Sequence, residues 1–168
     1  MGSRGGAGRL ADLMRKNAVA KPVGLCGDVH ENWVGEVKAD YADAGSATIG
    51  VEFCGTSITS RSGGNDKTAV RLAENPHFVF ADAERKGYGV IDLTPQRLTT
   101  RLRVVDDVRR PDAAIETLAS FTVEAGRPVA ERPGSGHPPG RKRPAAAVVA
   151  WGFARETPPA PAWVPVHS

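Results

Sequence analysis

The apolar residues of this chain crowd into one stretch, and within it they alternate. From Pro22 to Val123, Val, Ile, Leu and Phe recur in short runs at two-residue spacing, broken by Gly, Pro, Asn and Asp. A period of two over short runs specifies strands with one buried face. Residues 1–9 and 126–168 are instead dominated by Gly, Pro, Ala and Arg, which supply little to fill a core. The sequence therefore divides into a flexible N-terminus (1–9), a folded body (10–125) and a Pro/Gly/Ala/Arg-rich tail (126–168). The tail is expected to be disordered, with a weak apolar patch at Val148 to Phe153.

Within the body, Arg9 to Ala20 places Leu10, Leu13 and Met14 at helical spacing, and Pro22 stops the helix. Val23 to Cys26 is a short apolar run closed by Gly27, the pattern of a buried strand that ends in a loop. Trp33 to Asp40 fits either a helix or an extended segment. Ala47 to Ile58 is β-rich, and Arg61 to Thr68 is a polar, Gly-containing loop. Thr68 to Glu74 makes about two helical turns before Asn75-Pro76. His77 to Ala81, Gly87 to Leu93, Leu98 to Val105 and Ala119 to Glu124 read as strands. Several consecutive strands after one βα-like start imply an α/β (α+β) fold with largely antiparallel strands.

Charge and cysteine content narrow the function classes. The net charge is +3, and much of the basic excess sits in Arg141-Lys142-Arg143, too localised for a nucleic-acid-binding body. No apolar run reaches the ~20 residues of a membrane span, and Met1 to Gly8 is not followed by the apolar region of a signal peptide. Cys26 and Cys54 match no zinc motif; in apolar runs they read as small buried hydrophobes.

Chemistry concentrates at Gly27-Asp28-Val29-His30, on the loop at the C-terminal end of a buried strand, where α/β proteins commonly place ligand groups. In an extended segment, residues two apart face the same side, so Asp28 and His30 could aim a carboxylate and an imidazole at one metal ion or at two neighbouring ones. In isolation an Asp-x-His tripeptide is more often a surface pair than a metal site.

Its company is more specific. Gly27-Asp28-Val29-His30-Glu31-Asn32-Trp33 is followed by Glu52-Phe53-Cys54-Gly55-Thr56-Ser57-Ile58-Thr59-Ser60, then by Asn75-Pro76-His77 and Lys86-Gly87-Tyr88. In order and spacing these four blocks resemble the C-terminal part of the alkaline phosphatase D (PhoD-like) metallophosphatase family, over roughly residues 10–125. Cys54, at a position more often aliphatic, and Lys86, where Arg is more typical, depart from the pattern.

The resemblance implies the C-terminal portion of a four-layered α/β/β/α sandwich and a hydrolase of phosphate mono- and diesters that uses iron and calcium at alkaline pH. It carries Asp28 and His30 over as metal ligands. It also implies export to the periplasm, cell surface or medium. The family's remaining ligands lie upstream of this loop, so the resemblance implies an incomplete metal site in this chain; a noncatalytic remnant that at most binds metal or a partner is the alternative.

Further candidates are weaker. Glu52 could support a ligand such as His30 or face the surface, and His77 could lie near the site or simply sit in an Asn-Pro turn. Ser57 lacks the Gly-x-Ser-x-Gly elbow of a nucleophile and reads as a hydrogen-bonded strand position. Trp33 is expected to pack beneath the loop. Gly63-Gly64-Asn65-Asp66-Lys67-Thr68 is not a phosphate loop, since no apolar strand precedes it and Asp stands before Lys67. With part of the family fold absent, Val51, Phe53, Val90 and Ile91 are expected to be partly uncovered and to drive self-association.

Overall fold

The computed structural model describes residues 4–19, 22–43, 45–61, 63–133 and 148–150. Its elements are α1 (Arg4–Lys16), β1 (Val23–Cys26), β2 (Asn32–Lys38), β3 (Thr48–Cys54), α2 (Thr68–Glu74), β4 (Phe78–Asp82), β5 (Lys86–Leu93), β6 (Arg97–Val105), β7 (Ile115–Glu124) and β8 (Val148–Ala150). Two sheets result. The first runs in the order β4-β2-β3-β1-β8 and the second in the order β5-β6-β7. β1 is parallel to β3 and β8, whereas β2 is antiparallel to β3 and β4. The second sheet is a wholly antiparallel meander. The fold is thus mixed α/β with largely antiparallel pairing.

The core lies between the sheets, and strand parity determines who enters it. Val23, Val34, Val51 and Phe53 point inward from the first sheet and meet Leu98, Leu102, Ala119, Phe121 and Val123 of the second. Phe121 is fully buried, its ring centroid 6.1 Å from Phe53 and 5.6 Å from Phe80. Each such large side chain contributes about 1.5–3 kcal/mol on burial. The intervening residues of the second sheet, Thr99, Arg101 and Ser120 among them, pair on its other, polar face. On the outer face of the first sheet α2 is held through Arg71, whose guanidinium lies 6.0 Å from the Trp33 ring centroid.

Of the two readings open for Trp33 to Asp40, the extended one holds through Lys38, with Val34 filling the core on one side and Trp33 packing on Phe78 at 4.8 Å on the other. Other expectations are corrected. Val51 and Phe53 are not uncovered, because the second sheet lies over them. Val90 is half-buried, and Ile91 is the exposed one of the four. Helix α1 begins at Arg4, so residues 4–9 are helical rather than flexible; no proline interrupts the run back from Leu10.

The ordered body also passes Ala125. Thr122 and Glu131 exchange two backbone hydrogen bonds (2.8 and 2.9 Å), and the Arg132 guanidinium sits over Phe80 and Phe121. Three residues of the anticipated apolar patch form β8 on the open edge of β1. The remainder of the expected disordered tail, 134–147 and 151–168, lies outside the described residues.

Candidate functional site

Topology makes the 27–31 loop tight. β1 and β2 lie on opposite sides of β3, so the connection must cross the end of β3 and span two strand spacings, about 9–10 Å. It does so with an unusual backbone rather than an extended one. Asp28 has φ 76° and His30 has φ 59°, both left-handed. For side chains other than Gly that region costs about 1–2 kcal/mol, and such outliers cluster at functional sites. The same-side geometry of an extended segment therefore does not apply; the two residues sit on a strained arch.

Contacts around the arch hold it in place. The His30 carbonyl accepts hydrogen bonds from Thr56 Oγ1 (2.9 Å) and Lys86 Nζ (3.0 Å). His30 Nδ1 lies 3.2 Å from the carbonyl oxygen of Arg61. A carbonyl only accepts, so Nδ1 carries a proton; in the neutral ring this leaves the lone pair on Nε2, the tautomer of a metal-ligating histidine oriented by its other nitrogen. Asp28 is exposed and His30 half-buried at the rim of the loop, with Val29 exposed between them. Burial pushes the Lys86 ammonium below its usual pKa, against the opposing pull of Glu31 and Asp82.

Beneath the arch sit groups that the sequence did not single out. Glu31 is 7% exposed and accepts from Trp33 Nε1 (2.9 Å) and Arg71 Nη1 (3.0 Å), so Trp33 does pack under the loop and Arg71 ties it to α2. Asn32 is fully buried; its Oδ1 accepts from Thr56 N at 3.3 Å, while Nδ2 has no hydrogen-bond partner among the described residues. The only sequence signal for this pair was their adjacency to the Asp-x-His motif.

The other candidates fall elsewhere. Glu52 is exposed on the outer face of the first sheet in register with Gly24, while His30 takes Arg61 as its partner. His77 lies just before β4, whose far end pairs Asp82 with Asn32 beside the loop; it is at the opposite end of the sheet from His30. Its ring packs on Tyr41 (4.9 Å) and Phe78 (4.5 Å), lining a cavity of about 770 Å³ with Lys38 and Asp40. Burial and then Lys38 hold the His77 pKa below its ordinary value. Ser57 is past the end of β3, its hydroxyl donating to the Ser60 carbonyl at 2.9 Å.

A carboxylate and an imidazole with a free Nε2 are apt donors for iron, manganese or zinc, and the carboxylate suits calcium. An ion in such sites takes four or more ligands, yet among the described residues no group of three or more His, Cys, Asp or Glu converges on a metal position. Among the described residues, Asp28 and His30 by themselves do not complete a coordination sphere.

Comparison with known proteins agrees with the four sequence blocks. The family model described as PhoD-like phosphatase matches residues 2–102. The alkaline phosphatase D of Bacillus subtilis (strain 168) is 37% identical over 119 residues, covering 69% of this chain and 20% of the relative. A solved structure titled "Structure of PhoD" superposes with a TM-score of 0.68 at 33% identity, covering 77% of this chain and 25% of that one. This chain thus spans about a fifth of the length of the curated relative. Its match over more than half its length, in sequence and in fold, makes the chain a member of the PhoD-like phosphatase family.

Proposed function

We propose that this chain is the late metal-loop portion of a metal-dependent hydrolase of phosphate mono- and diesters, in which Asp28 and His30 are metal ligands. The observation that carries the reading is the strained arch, with Asp28 and His30 both left-handed and His30 Nδ1 engaged by a carbonyl so that Nε2 is presented. Metal ions in such a hydrolase, iron and calcium by family likeness, would supply charge neutralisation and water activation. The chain's own part is to hold a carboxylate and an imidazole at fixed positions. Glu31, Thr56 and Lys86 do this by bracing the loop backbone, and the phosphate ester is the partner this site would take. Family likeness also favours an exported protein; no helix among the described residues is long and apolar enough to cross a membrane.

The donor count favours a second reading, in which this chain by itself binds metal or a partner without turnover. One assay separates the two. Purified chain is incubated with an aryl phosphate monoester and with the diester, in the presence of iron and calcium. Hydrolysis abolished by Asp28→Ala supports a competent enzyme. Absence of turnover alongside retained, Asp28-dependent metal binding supports the noncatalytic reading. Turnover unaffected by Asp28→Ala would remove Asp28 from the site.

A further inference from the structure

Cys26 and Cys54 stand opposite one another at the ends of β1 and β3, in register within the parallel pair. Neighbouring strands are about 4.7–4.9 Å apart, inside the ~4.4–6.8 Å Cα span of a disulfide. Residues in register project their side chains to the same face. That face is the outer one, because the alternate positions Val23, Val51 and Phe53 fill the core. Both thiols are free; Cys54 is 6% exposed and Cys26 half-buried. Cys54 Sγ also lies 3.7 Å from the Gly27 carbonyl oxygen, at the foot of the arch.

We propose that Cys26 and Cys54 are a dithiol modification site that a small-molecule disulfide of the glutathione class oxidises to a cross-strand disulfide. The first exchange joins Cys26, the more accessible sulfur, to one half of the reagent and expels the other half as thiolate. The Cys54 thiolate then attacks Cys26 Sγ, forms the protein disulfide and expels the second thiolate. The two cysteine protons leave with the two reagent thiols, and the two electrons reduce the reagent. In-register positions keep the two Cβ atoms about a strand spacing apart, wider than the ~3.8 Å that a relaxed disulfide prefers. Closing the bond must therefore draw the strand ends together, and strain of that kind makes a disulfide easily reducible. The bond is reversible rather than structural, and it forms directly under Gly27.

The test uses the full 168-residue chain. It is exposed to oxidised glutathione, quenched with iodoacetamide, and read by intact mass and peptide mapping, folded and in urea. The expected result is loss of two hydrogens, no alkylated cysteine, and a Cys26–Cys54 linked peptide that dithiothreitol reverses, formed faster in the folded chain. Cys54→Ser should stop at a single glutathione adduct on Cys26. Both cysteines alkylated after treatment, persistent glutathione adducts on the native chain, intermolecular disulfides, or equal rates folded and unfolded would each overturn the proposal. The wild-type chain decides the matter even if the variant does not fold.

Discussion

Lys86 Nζ donates to the main-chain carbonyl of His30 at 3.0 Å, across 56 positions of sequence. The first residue of β5 in the second sheet thereby clamps a left-handed residue in a loop of the first. Together with Thr56 Oγ1 on the same oxygen, this clamp explains how a β1–β2 connection keeps His30 in an otherwise unfavourable conformation.

Lys86→Met keeps the aliphatic stem and removes the donor. A hydrogen bond from a charged group of this kind contributes about 1–3 kcal/mol, so the urea midpoint should fall by a corresponding amount. Amide exchange should accelerate first at residues 28–31. Unchanged exchange in the loop would show that the clamp is dispensable.

Gly87 is required for close approach. A Cβ added there would run into the carbonyl of Arg103 on β6, and Gly87 N donates to Ser57 O at 3.1 Å. Gly87→Ala is expected to cost about 1–3 kcal/mol, as overpacking does, measured by thermal unfolding. Gly89→Ala, with open space at its Cβ position, is the control and should be much milder.

How far these features could be read in the sequence depended on whether their cause was local. Helix α2 ends where Asn75-Pro76 ends it, and β1 and β3 lie where apolar runs meet Gly, because each boundary is set by adjacent residues. β2 was ambiguous because both faces are covered, Val34 by the second sheet and Trp33 by Phe78 and Arg71, which erases alternation. The arch at Asp28 and His30 was legible as a motif but not as a conformation, since Thr56, Arg61 and Lys86 impose it from far away. The segment past Ala125 looked unstructured by composition, yet the Thr122–Glu131 backbone pair and the Arg132 guanidinium over Phe80 and Phe121 anchor it.

His77 gives a pH dependence of defined sign. Its folded pKa lies below the ordinary 6.5, through burial first and Lys38 second, against the opposing influence of Glu36 and Glu52. The neutral ring is therefore favoured by the fold. Its stabilising contribution is complete above about pH 6.5 and is lost as pH falls through the folded value. His77→Phe keeps a ring against Tyr41 and Phe78. Its unfolding midpoint should fall less than that of the wild type as pH drops from about 7 to about 5. Parallel curves would count against this assignment.

Strand β5 is one edge of the second sheet, with Tyr88, Ile91 and Leu93 exposed by 43%, 38% and 57%. Exposed edges with apolar side chains are templates for pairing. Concentration-dependent association is expected in sedimentation velocity, and Ile91→Lys with Leu93→Lys should suppress it. A monomer at all concentrations would remove this surface from consideration.

The ligand assignment itself can be read one residue at a time by following histidine ring signals in NMR as Mn²⁺ is added. His30 and His77, at opposite ends of the first sheet, serve as site and control. If Asp28 and His30 hold the ion, the His30 ring protons broaden first, the His77 ring stays sharp, and Asp28→Asn abolishes the broadening. Equal broadening of both rings, or His30 broadening unchanged in Asp28→Asn, would contradict a metal held between Asp28 and His30.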